Sequence, residues 1–322
     1  MYHAVMIAKA SPPPLRSLAL GAAPLLILAA LAPPLAAAAA PPAAKPPATA
    51  GEILAASSPA DWQAFPEADL LLLDFDSGRR VVIALAPGFA PVHVDNIRKL
   101  VRAGWFNGIT INRVQDNYVV QWGDATEKKP LPPGIVPAPP AEYERPATAL
   151  DIRRLPYPDS YAAMVGHAGG WPVAGDEKGL AWLPHCYGMV GVGRNIAPDT
   201  GTGAELYVVN GHGPRHLDRN IATVGRVLSG MEMLSALPRG TEQLGFYKEG
   251  EARPAIRSAR IAADIPPAER PRFEVMKTGG PAFAAWTKAR ANRQDVFFNH
   301  PAGGVDICNV LPPVRPTPPL TR

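Results

Sequence analysis

Cysteine is nearly absent: Cys186 and Cys308 are the only two in 322 residues. They lie far apart along the chain, so on sequence grounds a pair in an oxidising compartment and two separate buried thiols are both open. Basic runs are missing as well. Lysine and arginine number 32 against 28 aspartates and glutamates, a surplus too small and too dispersed for a nucleic-acid-binding surface. No G-x-S-x-G elbow occurs, which argues against a serine hydrolase. Gly191 and Gly193 lack the third glycine of a nucleotide-binding loop. His212 and His216 stand four apart and His185 abuts Cys186, but Gly211, Gly213 and Pro214 oppose the helix that would align the two histidines. No fourth ligand lies at a recognisable spacing, so neither metal nor cofactor is expected. No internal repeat is evident.

Proline is what the chain has in excess. Its 39 residues, against a usage of about 5% in ordinary domains, gather at 41–47, 130–140 and 312–319, which read as a linker, a long loop and a tail. At the N-terminus Lys9 and Arg16 precede an apolar run over 18–35 and then the alanines of 36–40. This is the order of a secretory signal, so residues 1–40 are expected to be removed on export. Pro24, Pro33 and Pro34 interrupt the run, leaving it short of the roughly 20 residues that span a bilayer. Removal takes away two basic residues and leaves 30 against 28 acidic ones. Contact with a membrane is therefore expected only during export.

Local patterns supply the elements. Residues 51–69, with Trp62 and Phe65, read as a lead-in that packs aromatics on the domain. The apolar run 70–75, turn residues 76–78 and a second run 80–86 predict a hairpin. Pro91 at a helix start, Val94, Ile97 and Val101 at helical spacing, and Gly104 after the end predict a helix over 91–103. Strands are expected at 221–227 and 255–262. A short helix is expected over 230–237, with Met231, Leu234 and Leu237 on one face and Pro238 as its stop. A further helix over 281–293 carries Phe283, Trp286 and Ala289, followed by an irregular tail.

Residues 111–124, I-N-R-V-Q-D-N-Y-V-V-Q-W-G-D, form the centre of the pattern. Turn chemistry at Gln115-Asp116-Asn117 separates two strands, with Arg113 late in the first and Gln121 late in the second. Strict alternation would set Tyr118, Val120 and Trp122 on one face and Val119 and Gln121 on the other. The stretch resembles the F-H-R-V-x-x-x-F-x-x-Q-G-G-D signature of the cyclophilins, peptidyl-prolyl cis-trans isomerases. Three later segments follow in that family's order: G-M-V-G-V-G at 188–193, G-A-E-L-Y-V-V at 203–209 and L-D-R-N-I-A-T-V-G-R-V at 217–227. The resemblance covers about 70–264. It implies a mainly β fold, a closed antiparallel barrel capped by two helices, with a long inserted loop region. The organisation expected is a signal over 1–40, a lead-in over 41–68, a cyclophilin-like domain over 69–264 and an extension over 265–322. Residues 125–187 are the insertion, read as an ordered excursion because Tyr157, Tyr161, Trp171, Trp182 and Tyr187 are too many aromatics for disorder.

The same resemblance implies catalysis of X-Pro isomerisation on proline-containing polypeptide clients; the style of the signal segment and the richness in alanine and proline lead us to expect the periplasm of a bacterium. Arg113 stands where the family's arginine donates to the prolyl nitrogen, and Gln121 where a glutamine orients it. Tyr118, Val119, Tyr207 and Leu217 match the pocket that grips the proline ring, and Gly193 and Arg194 the backbone that pairs with substrate. Three positions depart from the pattern. Glu205 replaces a glutamine and could either hold Arg113 or compete for its donors. His216 replaces a tryptophan, and Ile221 a histidine at the pocket edge. With those departures, a proline-peptide-binding chaperone or scaffold with little turnover is the alternative.

Overall fold

The computed structural model describes residues 47–295 and 297–317. The signal segment expected over 1–40 lies outside the described residues. Among the described residues no helix is long and apolar enough to cross a membrane.

The run L-L-L-L-D-F forms β1 (Leu70–Phe75), and a turn with Gly78 at φ 78° returns it as β2 (Arg80–Leu85). All of β1 is buried, because both of its faces are covered. Leu71, Leu73 and Phe75 join the main core, while Leu70 and Leu72 enter a second cluster with Phe65, Phe273 and Val275. A strand covered on both sides needs a continuous apolar run rather than alternation. Asp74 is the exception, and Arg80 at 2.5 Å and Arg260 at 2.9 Å neutralise it.

Six more strands complete a barrel: β3 (Thr110–Val114), β4 (Tyr118–Gly123), β5 (Met189–Val192), β6 (Leu206–Asn210), β7 (Thr223–Ser229) and β8 (Ile256–Ile261). They run in the order β8-β1-β2-β7-β5-β6-β4-β3, antiparallel throughout. The ring is nearly closed between β3 and β8 by a Thr110–Ala255 bridge and by bonds from Gly108 N to Ile256 O and from Ile256 N to Ile109 O, both 2.8 Å.

Among the described residues there are four α-helices: α1 (Ala50–Ala56), α2 (Pro91–Arg102), α3 (Met231–Ser235) and α4 (Pro281–Ala291). Helix α2 closes the barrel with Val94, Ile97 and Leu100, all fully buried, each contributing about 1.5–3 kcal/mol relative to exposure. Its own N-cap, Ala90, has no side chain that can accept the free amides. Glu142 of the excursion does so instead, accepting from Val92 N at 2.9 Å, His93 N at 3.0 Å and His93 Nδ1 at 2.7 Å. Helix α3 also caps the barrel, but Met233 and Leu234 are its buried residues. Met231 and Leu237, expected on the same face, are only partly buried, since five residues are too few to present one stripe.

The excursion is ordered, and it holds more than loop. Arg145–Pro146, Leu180–Trp182, Trp171–Gly175, Met164–Ala168 and Arg153–Arg154 form a five-stranded sheet in that spatial order. Gly169 and Gly170 make its tight hairpin turn at positive φ. The tail is likewise more regular than expected. Trp62–Ala64 pairs with Phe273–Met276, which pairs with Val314–Pro316. Lead-in and tail are thus neighbours, and their aromatics Trp62, Phe283 and Trp286 share one cluster. Cys186 and Cys308 form a disulfide with Cα atoms 5.0 Å apart, resolving the choice that the sequence leaves open.

Candidate active site

A change of register turns the key arginine outward. Strands β3 and β4 shift register between Ile111 and Arg113, an extra residue of the kind that re-aims a side chain. Ile111 and Val114 therefore both face the core, and Arg113 lies opposite Gln121 on the outer face. On β4, Val120 and Trp122 point inward while Val119 packs on the outer side. Tyr118 departs from strict alternation: at the strand start it joins Val119 on the outer side rather than Val120. Tyr207 of β6 lies opposite Gln121.

These side chains line a cavity of about 480 Å³. The apolar part of the lining is Tyr118, Val119, Tyr207, Leu217 and Ile221; Arg113, Gln121, Gly193, Arg194 and Glu205 line the cavity with them. Arg113 Nη1 donates to Gln121 Oε1 at 3.1 Å, Nε to Leu244 O at 2.7 Å, and Nη2 to Gln115 Oε1. Its guanidinium also sits over the rings of Tyr118 at 5.4 Å and Phe246 at 5.3 Å. Three of the five N–H groups of an arginine are thereby engaged within the protein, leaving one on each terminal nitrogen. Burial lowers the Arg113 pKa, and raises that of Tyr118 against the opposing charge of Arg113.

Glu205 does not pair with the guanidinium directly. Gln121 stands between them, donating from Nε2 to Glu205 Oε1 at 2.6 Å. Burial raises the Glu205 pKa, with Gln121 and Asn112 opposing that shift through hydrogen bonds. The carboxylate thus orients the glutamine that in turn accepts from Arg113.

His216 flanks the cavity through Tyr118 rather than lining it. It is exposed and stacks on the outside of Tyr118, ring centroids 5.7 Å apart. His216 Nδ1 lies 2.9 Å from Gly213 O, and Nε2 lies 3.1 Å from Tyr118 Oη. A carbonyl only accepts, so Nδ1 donates and, in the neutral ring, Nε2 accepts from the Tyr118 hydroxyl. Among the described residues no group of three or more His, Cys, Asp or Glu side chains could hold a metal ion.

Sequence reasoning missed one wall entirely. Leu244, Phe246 and Tyr247 line the cavity from the loop between α3 and β8, and Phe246 makes an isolated bridge to Arg113. Ring closure brings this loop over β3, because it leads directly into the strand that meets β3. The available signal was the aromatic pair F-Y after Gly245, followed by the polar K-E-G-E.

Comparison with known proteins agrees with this geometry. A family model described as cyclophilin type peptidyl-prolyl cis-trans isomerase/CLD matches residues 71–261, more than half of the chain. A probable peptidyl-prolyl cis-trans isomerase of Brucella suis biovar 1 is 28% identical over 163 residues, covering 50% of this chain and 68% of that relative. Its counterpart in Brucella abortus is 27% identical over the same length. The crystal structure of a cyclophilin from Hirschia baltica superposes with a TM-score of 0.63 at 25% identity, covering 84% of this chain and 97% of that one.

Proposed function

The chain belongs to the cyclophilin-type peptidyl-prolyl cis-trans isomerase family, and from that premise we propose that it accelerates the proline-limited folding of exported polypeptides. Rotation about an amide meets a barrier of about 18–20 kcal/mol, because the C–N bond has partial double-bond character. Nothing covalent has to be made or broken. The enzyme need only bind the twisted amide better than either planar form.

Arg113 supplies that preference in this proposal. As the amide twists, the lone pair localises on the prolyl nitrogen and becomes an acceptor. A free N–H of Arg113 donates to it while the proline ring sits against Tyr118, Val119, Tyr207, Leu217 and Ile221. Gln121 holds the guanidinium in place, and Gly193 and Arg194 pair with the extended client backbone. The observation that carries this reading is the guanidinium in contact with two aromatic rings in a cavity with an apolar lining, with one N–H of each terminal nitrogen left over. The bond from Gln121 to Glu205 favours an enzyme over a non-catalytic binding module, because the carboxylate is occupied by an amide rather than by the arginine.

Export is supported by the basic and then apolar N-terminus and by the Cys186–Cys308 disulfide, since such bonds persist in oxidising compartments. The test is the refolding of a denatured substrate protein with a slow proline phase, in the presence of residues 41–322. Acceleration of that phase in proportion to added protein is expected. An unchanged slow phase at equimolar protein would overturn the proposal.

A further inference from the structure

A buried polar chain starts from Tyr207 of the cavity, and the excursion contributes His185, Trp182 and Asp159 to it. Tyr207 presents its ring to the cavity and its hydroxyl to the interior, 2.8 Å from His185 Nε2. His185 is 1% exposed, and its Nδ1 lies 3.0 Å from Asp218 Oδ1. With Asp218 ionised, Nδ1 donates to it. The neutral ring then leaves Nε2 as acceptor for the Tyr207 hydroxyl. Asp218 Oδ2 accepts from Arg215 Nε at 2.9 Å and from Trp182 Nε1 at 3.2 Å. Arg215 in turn donates from both terminal nitrogens to Asp159, at 2.8 and 3.1 Å.

The phenol ring is fixed from more than one side. A Cβ at Gly191 would stand 2.3 Å from Tyr207 Cζ and Oη, so the ring rests on the bare β5 backbone. Its plane lies within 14° of the His185 ring. Leu217, another cavity residue, sits between Arg215 and Asp218 in sequence and shares their anchorage. Cys186, next to His185, is tied to Cys308 of the extension. A wall that discriminates a twisted amide from a planar one must hold its shape when the client presses on it.

We propose that His185 is a positioning residue of the proline pocket, acting through the Tyr207 hydroxyl, and that the excursion supplying it is a working part of the active site. The proposal rests on the isomerase reading given above. His185 does not touch substrate. It fixes the angle of the ring that does.

The test is kcat/KM on a short X-Pro peptide for the parent, Tyr207→Phe, His185→Phe and the double variant. Each single change is expected to lower kcat/KM by about fivefold, the loss of one hydrogen bond to the ring. Because both act on the same bond, the double variant should lose no more than the worse single one. His185→Gln, which keeps an acceptor for the hydroxyl, should recover most of the activity that His185→Phe loses. Losses that multiply in the double variant would overturn the proposal, as would a Tyr207→Phe variant equal to the parent. The latter result decides even if His185→Phe does not fold, since Tyr207→Phe removes one oxygen and leaves the ring. A parent without turnover would instead overturn the isomerase reading, and this proposal with it.

Discussion

Lowering the pH should unfold this protein partly through one histidine that does not line the cavity. His167, on the strand Met164–Ala168 of the excursion, is 1% exposed. Its Nε2 donates to Val310 O at 2.9 Å, its Nδ1 has no partner among the described residues, and its ring meets Phe283 edge-on at 4.8 Å. Burial, reinforced by the charge of Arg226 and opposed by the Val310 bond, lowers its pKa from 6.5 to about 4. The unfolded chain therefore takes up a proton near pH 6.5 that the folded chain refuses until about pH 4. The stability associated with the neutral ring is intact above pH 6.5 and is lost as the pH falls through that window. At about 1.4 kcal/mol per pH unit, the loss reaches about 2 kcal/mol at pH 5 and about 3 kcal/mol at pH 4. His167→Gln keeps a donor for Val310 O and does not titrate. In urea unfolding at pH 7.5, 5 and 4, the parent's stability relative to this variant should shrink by those amounts. A parent-to-variant difference that stays constant across the range would refute the reasoning.

Three other outcomes follow from the geometry. Replacing Cys186 and Cys308 by alanine opens a link across 122 residues, and denaturant titration should find a loss of up to about 5 kcal/mol by the loop-entropy estimate; an unchanged midpoint would contradict it. Glu142→Ala strips the acceptor from the start of α2 and from buried His93, and should cost about 1–3 kcal/mol in the same assay, with no measurable cost as the contrary result. Glu205→Gln leaves an acceptor for Gln121, so kcat/KM should stay within about threefold of the parent; a large gain would mean that the carboxylate restrains Arg113 after all.

How much of this can be read from the sequence depends on how local the cause is. The hairpin of β1 and β2, helix α2 and the strand-turn-strand around Asn117 follow from apolar runs, a proline at a helix start and turn residues, all short-range signals. Arg113 and Gln121 are legible as a pair because they sit in one hairpin. The register shift that turns Arg113 outward is not legible, since nothing in I-N-R-V distinguishes a shifted strand from a regular one. Leu244 and Phe246 reach the cavity only through ring closure. His216 stands at a matched tryptophan position, but the bond of its Nδ1 to Gly213 O and the stacking of its ring on Tyr118 have no local sequence signal. The excursion's sheet is hidden by two-residue strands and by glycines that serve as hairpin turns. Val314–Pro316, with a proline on either side of Val314 and Arg315, gives no run from which a strand could be recognised. Tyr207 and His185 are 22 residues apart, and only the fold joins them.

The central claim is that Arg113 acts on the twisted amide, and the most direct measurement is isomerisation of a short X-Pro peptide by residues 41–322 with and without that side chain. The account predicts an active parent and an Arg113→Ala variant slower by about a hundredfold, the cost of one donor aimed at developing charge, with the parent's circular dichroism retained. A folded Arg113→Ala variant that turns over peptide at the parent's rate would contradict it.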